Sequence, residues 1–214
     1  MTNKLRKISL FFNTEDLLLK EISSFCTLKR YTKDEIIFYE GEKEKYFYAI
    51  VYGNILMYDV DLKGNIIPKS QFGCSDIFGL IAQLQNKPFC LNAKSENESE
   101  IIKINYEKFK NYISSPPFSD RIIKMLSHNI IEETQFHKLQ KYDATSRVVY
   151  TLLNFPHKFV RKKKYMLAKE LNMSPETLSR ILSRLKQKEI ICYCEKAIKV
   201  LDKKKLKDYL FYKL

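Results

Sequence analysis

The sequence predicts an α+β chain: an N-terminal antiparallel β-roll, one long helix, and a C-terminal winged helix-turn-helix. Three observations carry this. Short β-branched and aromatic runs separated by turns fill residues 28–104, a long helical stretch follows Pro116-Pro117, and two short helices flank a tight break at Asn172-Met173. The division that follows is residues 1–118 for the roll, 119–143 for a dimerisation helix and hinge, and 144–214 for the winged helix-turn-helix domain.

In chain order, the runs Lys29 to Phe38, Tyr46 to Val51, Ile55 to Val60 and Ile66 to Phe72 read as strands. They are broken by Glu40-Gly41-Glu42, Tyr52-Gly53-Asn54 and Asp61-Leu62-Lys63-Gly64-Asn65. Turns about every ten residues favour a closed antiparallel roll. Ile101, Ile102 and Ile104 supply a last strand and Tyr106 to Ile113 a short helix, which Pro116-Pro117 then stops. From Ser119 to about Tyr142 the chain reads as one helix. Ile123, Ile130 and His137 fall seven apart, Leu126 and Phe136 widen the stripe, and Asn129, Glu132 and Glu133 interrupt it. Such a stripe fits pairing with a second copy of the same helix. Asp143-Ala144-Thr145 caps the next helix, Ser146 to Asn154, and marks the hinge.

The most informative stretch is Ser174 to Leu185. Ser174 can cap the free amides of a helix start, Pro175 suits the first helical position and Glu176 opposes the dipole there. Leu178, Ile181, Leu182 and Leu185 recur at helical spacing and face a core, leaving Glu176, Ser179, Arg180 and Ser183 outward. Met166 to Leu171 supplies the preceding helix, with Ala168 small enough for a close approach. In a helix-turn-helix the second helix enters the DNA major groove.

Charge supports that use. Of the net charge of +13, residues 144–214 carry 18 Lys and Arg against 6 Asp and Glu, whereas residues 1–143 carry 20 against 19. A surface with this excess binds nucleic-acid backbones by counterion release. Arg161-Lys162-Lys163-Lys164 precedes the helix pair and Lys203-Lys204-Lys205 follows it, in positions to reach phosphates. The basic residues accompany no long helix with a broad apolar face, which argues against a membrane-surface role.

The 214 residues contain no apolar run of transmembrane length and no signal-peptide pattern, so the expected location is cytoplasmic. Five scattered cysteines, Cys26, Cys74, Cys90, Cys192 and Cys194, argue for reduced thiols. Cys192 and Cys194 are two apart on a wing strand and so share a face, in neither a redox CxxC nor a zinc-pair spacing. No catalytic triad, GxGxxG, Walker loop or HExxH is present, which argues against an enzyme.

Taken together, Tyr31-Thr32-Lys33-Asp34-Glu35-Ile36-Ile37, Gly41-Glu42, Phe47-Tyr48-Ala49-Ile50, Gly53-Asn54-Ile55 and Asp76-Ile77-Phe78-Gly79 resemble the cyclic-nucleotide-binding-type roll of the Crp/Fnr family of bacterial transcription regulators. Thr145-Ser146-Arg147-Val148 through Leu152-Leu153-Asn154 resembles the start of that family's DNA-binding domain. Ser174-Pro175-Glu176-Thr177-Leu178-Ser179-Arg180 resembles its recognition helix. The resemblance implies a homodimer on a palindromic double-stranded DNA operator of TTGA type, with RNA polymerase as partner where the protein activates. It places base contacts at Glu176, Ser179 and Arg180 and backbone contacts at Pro175, Thr177, Ser183, Arg161, Lys162, Lys163 and Lys164. The competing class is a nucleotide-binding-type module acting on a protein partner, against which the basic C-terminal third stands.

Departures from the family matter as much. In cAMP-binding members the Phe-Gly pair is followed by a Glu that takes the ribose, and an Arg-Ser pair holds the phosphate; Leu80 and Phe89-Cys90 occupy those positions here. The glycine usual before Asp76 is Ser75, and Glu132 and Glu133 stand where the long helix of those members offers hydroxyls. The sequence therefore argues against cAMP. Only Cys26 lies in the region where oxygen-sensing members hold an iron–sulfur cluster with four thiolates, which argues against that cofactor too. The resemblance that remains is to the haem-associated, nitric-oxide-responsive branch. A pocket lined by Ile77, Phe78, Gly79, Leu80, Phe89 and Cys90 is expected to suit an apolar planar ligand such as haem, with His128, His137 and His157 as the available imidazoles.

Overall fold

The computed structural model describes residues 1–210 other than His157, Lys162, Glu195 and Lys196; for His128, Asn129, Glu132, Glu133, Phe136, His137, Arg161 and Ala197 it describes the backbone alone. The chain forms two compact units, Met1–Leu126 and Ser127–Leu214.

The first unit begins with two short helices that no expectation covered, α1 (Thr2–Leu5) and α2 (Asp16–Ser23). Strands β1 (Cys26–Tyr31), β2 (Ile36–Phe38), β3 (Tyr46–Tyr52), β4 (Ile55–Val60), β5 (Ile66–Phe72) and β6 (Ile77–Phe78) follow. Then come α3 (Leu80–Leu84), β7 (Asn92–Ser95), β8 (Ser99–Asn105) and α4 (Tyr106–Ile113). The strands form two four-stranded antiparallel sheets, ordered β1-β8-β3-β6 and β2-β7-β4-β5.

The run Lys29 to Phe38, expected as one strand, is two. The Thr32 amide donates to Glu35 Oε2 at 2.9 Å and Asp34 adopts φ +65°, so a turn separates β1 from β2 and sends them to different sheets.

Burial follows the two-residue period of a strand, with both faces covered. On β3, Phe47 and Ala49 enter one core while Tyr48 and Ile50 enter another; on β8, Ile102 and Ile104 enter the first and Ile101 the second. The first core joins the β1-β8-β3-β6 sheet to the helices through Phe11, Phe47, Phe109 and Phe118. The ring centroids of Phe109 lie 5.8, 5.1 and 5.5 Å from those of Phe11, Phe47 and Phe118. Gly53 makes the turn between β3 and β4 at φ +96°, and a Cβ there would lie 2.4 Å from Ser99 Cβ and 2.7 Å from the Glu98 carbonyl oxygen. Gly53→Ala is therefore expected to cost about 1–3 kcal/mol, from left-handed strain together with the backbone clash. Urea unfolding of the full chain measures it, and an unchanged midpoint would contradict the assignment.

Helix α5 (Phe118–Leu139) runs through the division between the units. It ends three residues short of the expected Tyr142. Leu139 is buried in the second unit, and the amides of Lys141 and Tyr142 turn back to the carbonyls of Lys138 and Leu139, three residues earlier, which closes the helix. Next come α6 (Ala144–Asn154), α7 (Lys158–Arg161), α8 (Lys164–Glu170), α9 (Pro175–Gln187), the hairpin β9 (Ile191–Cys194) with β10 (Ala197–Val200), and α10 (Lys203–Lys207). Their core gathers Val148, Val149, Leu152, Leu167, Ala168, Leu178, Leu182, Leu185 and Ile191.

Asp143 caps α6 as the sequence indicated, accepting from the amides of Thr145 at 2.8 Å and Ser146 at 3.1 Å. Partial burial pushes its pKa up, but the bonds from the Ser146 hydroxyl and from these amides outweigh that and hold the carboxyl below its usual range. A depressed folded pKa stabilises above the unfolded value and loses that stabilisation as pH falls through the folded one. Asp143→Ala is thus expected to cost about 0.5–2 kcal/mol near neutral pH. The difference from wild type should shrink below about pH 4, and urea midpoints at pH 7 and pH 3 check both parts.

Candidate nucleic-acid interface

The α8-turn-α9 unit is assembled from local signals. Ser174 is the N-cap of α9, its Oγ accepting from the Thr177 amide at 3.2 Å, and Pro175 opens the helix. Leu178, Ile181, Leu182 and Leu185 are all buried and Ala168 of α8 is fully buried. Asn172 takes φ +52° in the break between the helices, a conformation asparagine tolerates. Before and between those apolar positions, Pro175, Glu176, Arg180, Ser183 and Arg184 are exposed and Thr177 and Ser179 half-buried. The Ser174 hydroxyl and Glu176's own amide hold the Glu176 carboxyl below its usual range, so it stays ionised.

Lys163, the residue before α8, and Lys164, its first, are both exposed. Lys162, and the side chain of Arg161, lie outside the described residues. The β9–β10 hairpin after α9 is the wing.

Two side chains that hold this unit together were not singled out from the sequence. Arg147 of α6 donates from Nη1 to the Tyr142 carbonyl oxygen at 3.1 Å and from Nη2 to that of Asn172 at 3.2 Å, tying the chain before α6 to the turn before α9. Lys158, 5% exposed, pairs with Glu170 at 2.5 Å and so joins α7 to the end of α8. Neither tie has a sequence spacing that would announce it, because each is set by how helices cross.

In the roll, the residues expected to line one pocket part into two groups. Ile77 and Leu80 lie in the helix-facing core, Phe78 and Phe89 in the core between the sheets, and Cys90 is exposed. Phe89 is buried with its ring stacked on Phe38 at 3.8 Å between centroids, and Tyr48 stacks on Phe78 at 5.0 Å. Gly79, at φ +78°, fits beneath these rings: a Cβ there would be 3.2 Å from Phe89 Cε1 and 3.3 Å from Tyr48 Cδ2. A buried stacked ring stands at Phe89, where the resemblance would set the cation for a cyclic phosphate. The residues present do not fit that group.

Comparison with known proteins agrees with this architecture. Residues 28–115 match the cyclic nucleotide-binding domain and residues 146–209 the Crp-like helix-turn-helix domain. The chain is 24% identical to the cAMP-activated global transcriptional regulator CRP of Salmonella typhimurium, over 86% of this chain and 94% of that protein. Among solved structures it resembles FixK2 from Bradyrhizobium japonicum (TM-score 0.68, 20% identity, 88% of this chain and 99% of that one). It also resembles a putative cAMP-binding regulatory protein from Silicibacter pomeroyi (TM-score 0.62, 22% identity, 99% and 98%).

A nucleotide-binding-type roll followed by a helix-turn-helix defines a DNA-binding transcription regulator. The chain belongs to the Crp/Fnr family. No helix among the described residues is long and apolar enough to cross a membrane, and no three His, Cys, Asp or Glu among them come together to hold a metal ion.

Proposed function

We propose that the protein binds a palindromic TTGA-like operator as a homodimer through α9, with Glu176, Ser179 and Arg180 reading bases. Backbone contacts come from Pro175, Thr177, Ser183 and the Arg161 to Lys164 run. The observation that carries this reading is the division of α9: a Ser174-capped helix whose four apolar residues are buried and whose Glu176 and Arg180 stand exposed, in a third of the chain with net charge +12. Ionised Glu176 can accept from a cytosine amine and Arg180 can donate to guanine. α5 pairs the two copies, and the Asp143 hinge passes on a signal from the roll. A gel shift with promoter DNA from the protein's own gene neighbourhood tests the binding; no shift beyond that of scrambled duplex would reject it.

The signal in this reading is not cAMP. Support comes from Phe89 stacked on Phe38 and from Leu80, 2% exposed, at the position where a ribose-binding Glu is usual. Cyclic AMP is expected to show no saturable binding by calorimetry and to leave operator affinity unchanged; a ligand acts only through a difference in affinity for two states. Saturable cAMP binding that raises operator affinity would overturn this. Titration with haemin, followed in the Soret band with and without nitric oxide, tests the haem-linked, nitrosative-stress form of the same reading, which a lack of saturable binding would remove.

A further inference from the structure

The wing carries a feature that DNA binding does not use. β9 and β10 pair antiparallel, with Cys192 opposite Lys199 and Cys194 opposite Ala197. Ile191, on the same face as Tyr193, is buried in the domain core, and Lys186 of α9 lies 5.4 Å from the Tyr193 ring centroid. The strand's alternation therefore turns Cys192 and Cys194 to the opposite, outer face. There the two sulfurs are 3.5 Å apart; Cys194 is exposed and Cys192 half-buried. Each thiol can donate to the other, and that shared proton pushes the Cys192 thiol up while Lys199 pulls it down.

Distance and donor count decide what such a pair can take. A disulfide needs the sulfurs at about 2.05 Å, and two residues on one face of an extended strand hold their Cα atoms about 6.5 Å apart, near the long limit for that bond. Closing it would bend β9 out of its ladder. An atom bonded to both sulfurs at about 2.3 Å, by contrast, spans a gap of 3.5 Å with an angle near 100° at the bridging atom and leaves the strand in place. Zinc asks for at least three protein donors and an iron–sulfur cluster for four, and no third His, Cys, Asp or Glu joins the pair among the described residues. A linear two-coordinate ion needs the sulfurs about 4.6 Å apart at the same bond length. Trivalent arsenic needs three bonds at roughly right angles, of which the two sulfurs supply two and its own substituent the third.

We infer that Cys192 and Cys194 form a dithiol site on the outer face of the wing that takes a trivalent arsenical. The reaction involves no change of oxidation state. Two S–H bonds and the arsenic–oxygen bonding break, two As–S bonds form, and both protons leave with the oxygen as water. Chelation by one protein sets this pair apart from the exposed single thiols Cys74 and Cys90 and from Cys26, whose thiol bonds the Ile22 carbonyl and is pushed up to about 12 by burial. Any effect on operator affinity rests on the wing's place beside DNA in the proposed function; the binding itself does not.

The test treats the reduced full chain with one equivalent of phenylarsine oxide and reads intact mass. Wild type is expected to gain one phenylarsenic group that survives excess monothiol and is removed by dithiothreitol. Cys192→Ser and Cys194→Ser should each lose the monothiol-resistant adduct, whereas Cys74→Ser and Cys90→Ser keep it. An adduct that survives monothiol in either wing variant, or that monothiol strips from wild type, overturns the proposal. So does formation of a Cys192–Cys194 disulfide with hydroperoxide in a chain that takes no resistant arsenical. A parallel gel shift with duplex DNA separates the failure of this site from the failure of DNA binding.

Discussion

Ile130→Asp is expected to reduce operator affinity about 100-fold or more while leaving both units folded. Ile130 is 64% exposed on α5, and Ile123, seven residues earlier, is 60% exposed. Ile131, 54% exposed, widens the patch. A helix with three exposed isoleucines has an apolar surface still to be covered, and burying each side chain stabilises a contact by about 1.5–3 kcal/mol. In a two-fold interface every substitution counts twice, and two carboxylates would meet where two isoleucines did. A monomer keeps one recognition helix and loses half of the phosphate and base contacts. The expected dimer stripe also included Leu126, but Leu126 is half-buried against the roll's own core, so Leu126→Asp would damage that core as well as any dimer. Phe136 and His137 of the stripe are side chains outside the described residues. Ile130 is thus the clean position. Sedimentation should show a monomer whose circular dichroism matches that of wild type, with a urea midpoint lowered only by the loss of association; a monomer that binds its operator with wild-type affinity would refute pairing through α5.

How much of this was legible in the sequence depended on how local the cause was. The start of helix α9 could be read to the residue, because its cap, its proline and its apolar spacing all lie within twelve positions and agree; its end, at Gln187, lies two residues past the last apolar position of that spacing. β3 and β8 were legible as apolar runs because both of their faces are buried. Strand β7 was not. Its Asn92 and Ser95 are buried polar residues satisfied from elsewhere, Asn92 Oδ1 accepting from the Glu40 amide at 3.1 Å and Ser95 bonding the Ser99 hydroxyl at 2.6 Å. No pattern within the strand announces such partners. The roll residues show a different shortfall. Ile77 and Phe78 are neighbours on β6 and so must face opposite ways, which the two-residue period alone could have shown; grouping them in one pocket followed the family motif and set that alternation aside. The part-buried Lys158–Glu170 pair lay beyond reach, since twelve residues and a helix crossing separate its members.

Arg180→Ala is expected to change which sequences are bound, and Lys164→Ala only how tightly. Arg180 stands exposed on α9, one turn after Glu176, and neighbours Ser179 on the same helix. Its backbone is fixed by the flanking buried Leu178 and Ile181, so its guanidinium is carried on a rigid element. A guanidinium bidentate to guanine is worth about 1–3 kcal/mol of discrimination, roughly 5- to 150-fold between matched and mismatched half-sites. Truncation should therefore flatten the ranking of half-site variants at one base pair while leaving the salt dependence nearly as it was. Lys164, at the exposed start of α8, carries a point charge suited to a phosphate. Its loss should weaken binding to every duplex alike and lower the slope of log affinity against log salt by about one. Glu176→Gln supplies the third arm, because an amide in place of the ionised carboxylate can donate as well as accept and should shift preference away from the cytosine it is proposed to read. Competition binding with single-base operator variants at two salt concentrations separates the three. If Arg180→Ala kept the wild-type ranking of half-sites, base recognition would have to lie elsewhere on α9, with Arg184 and Ser183 the next exposed positions along that face.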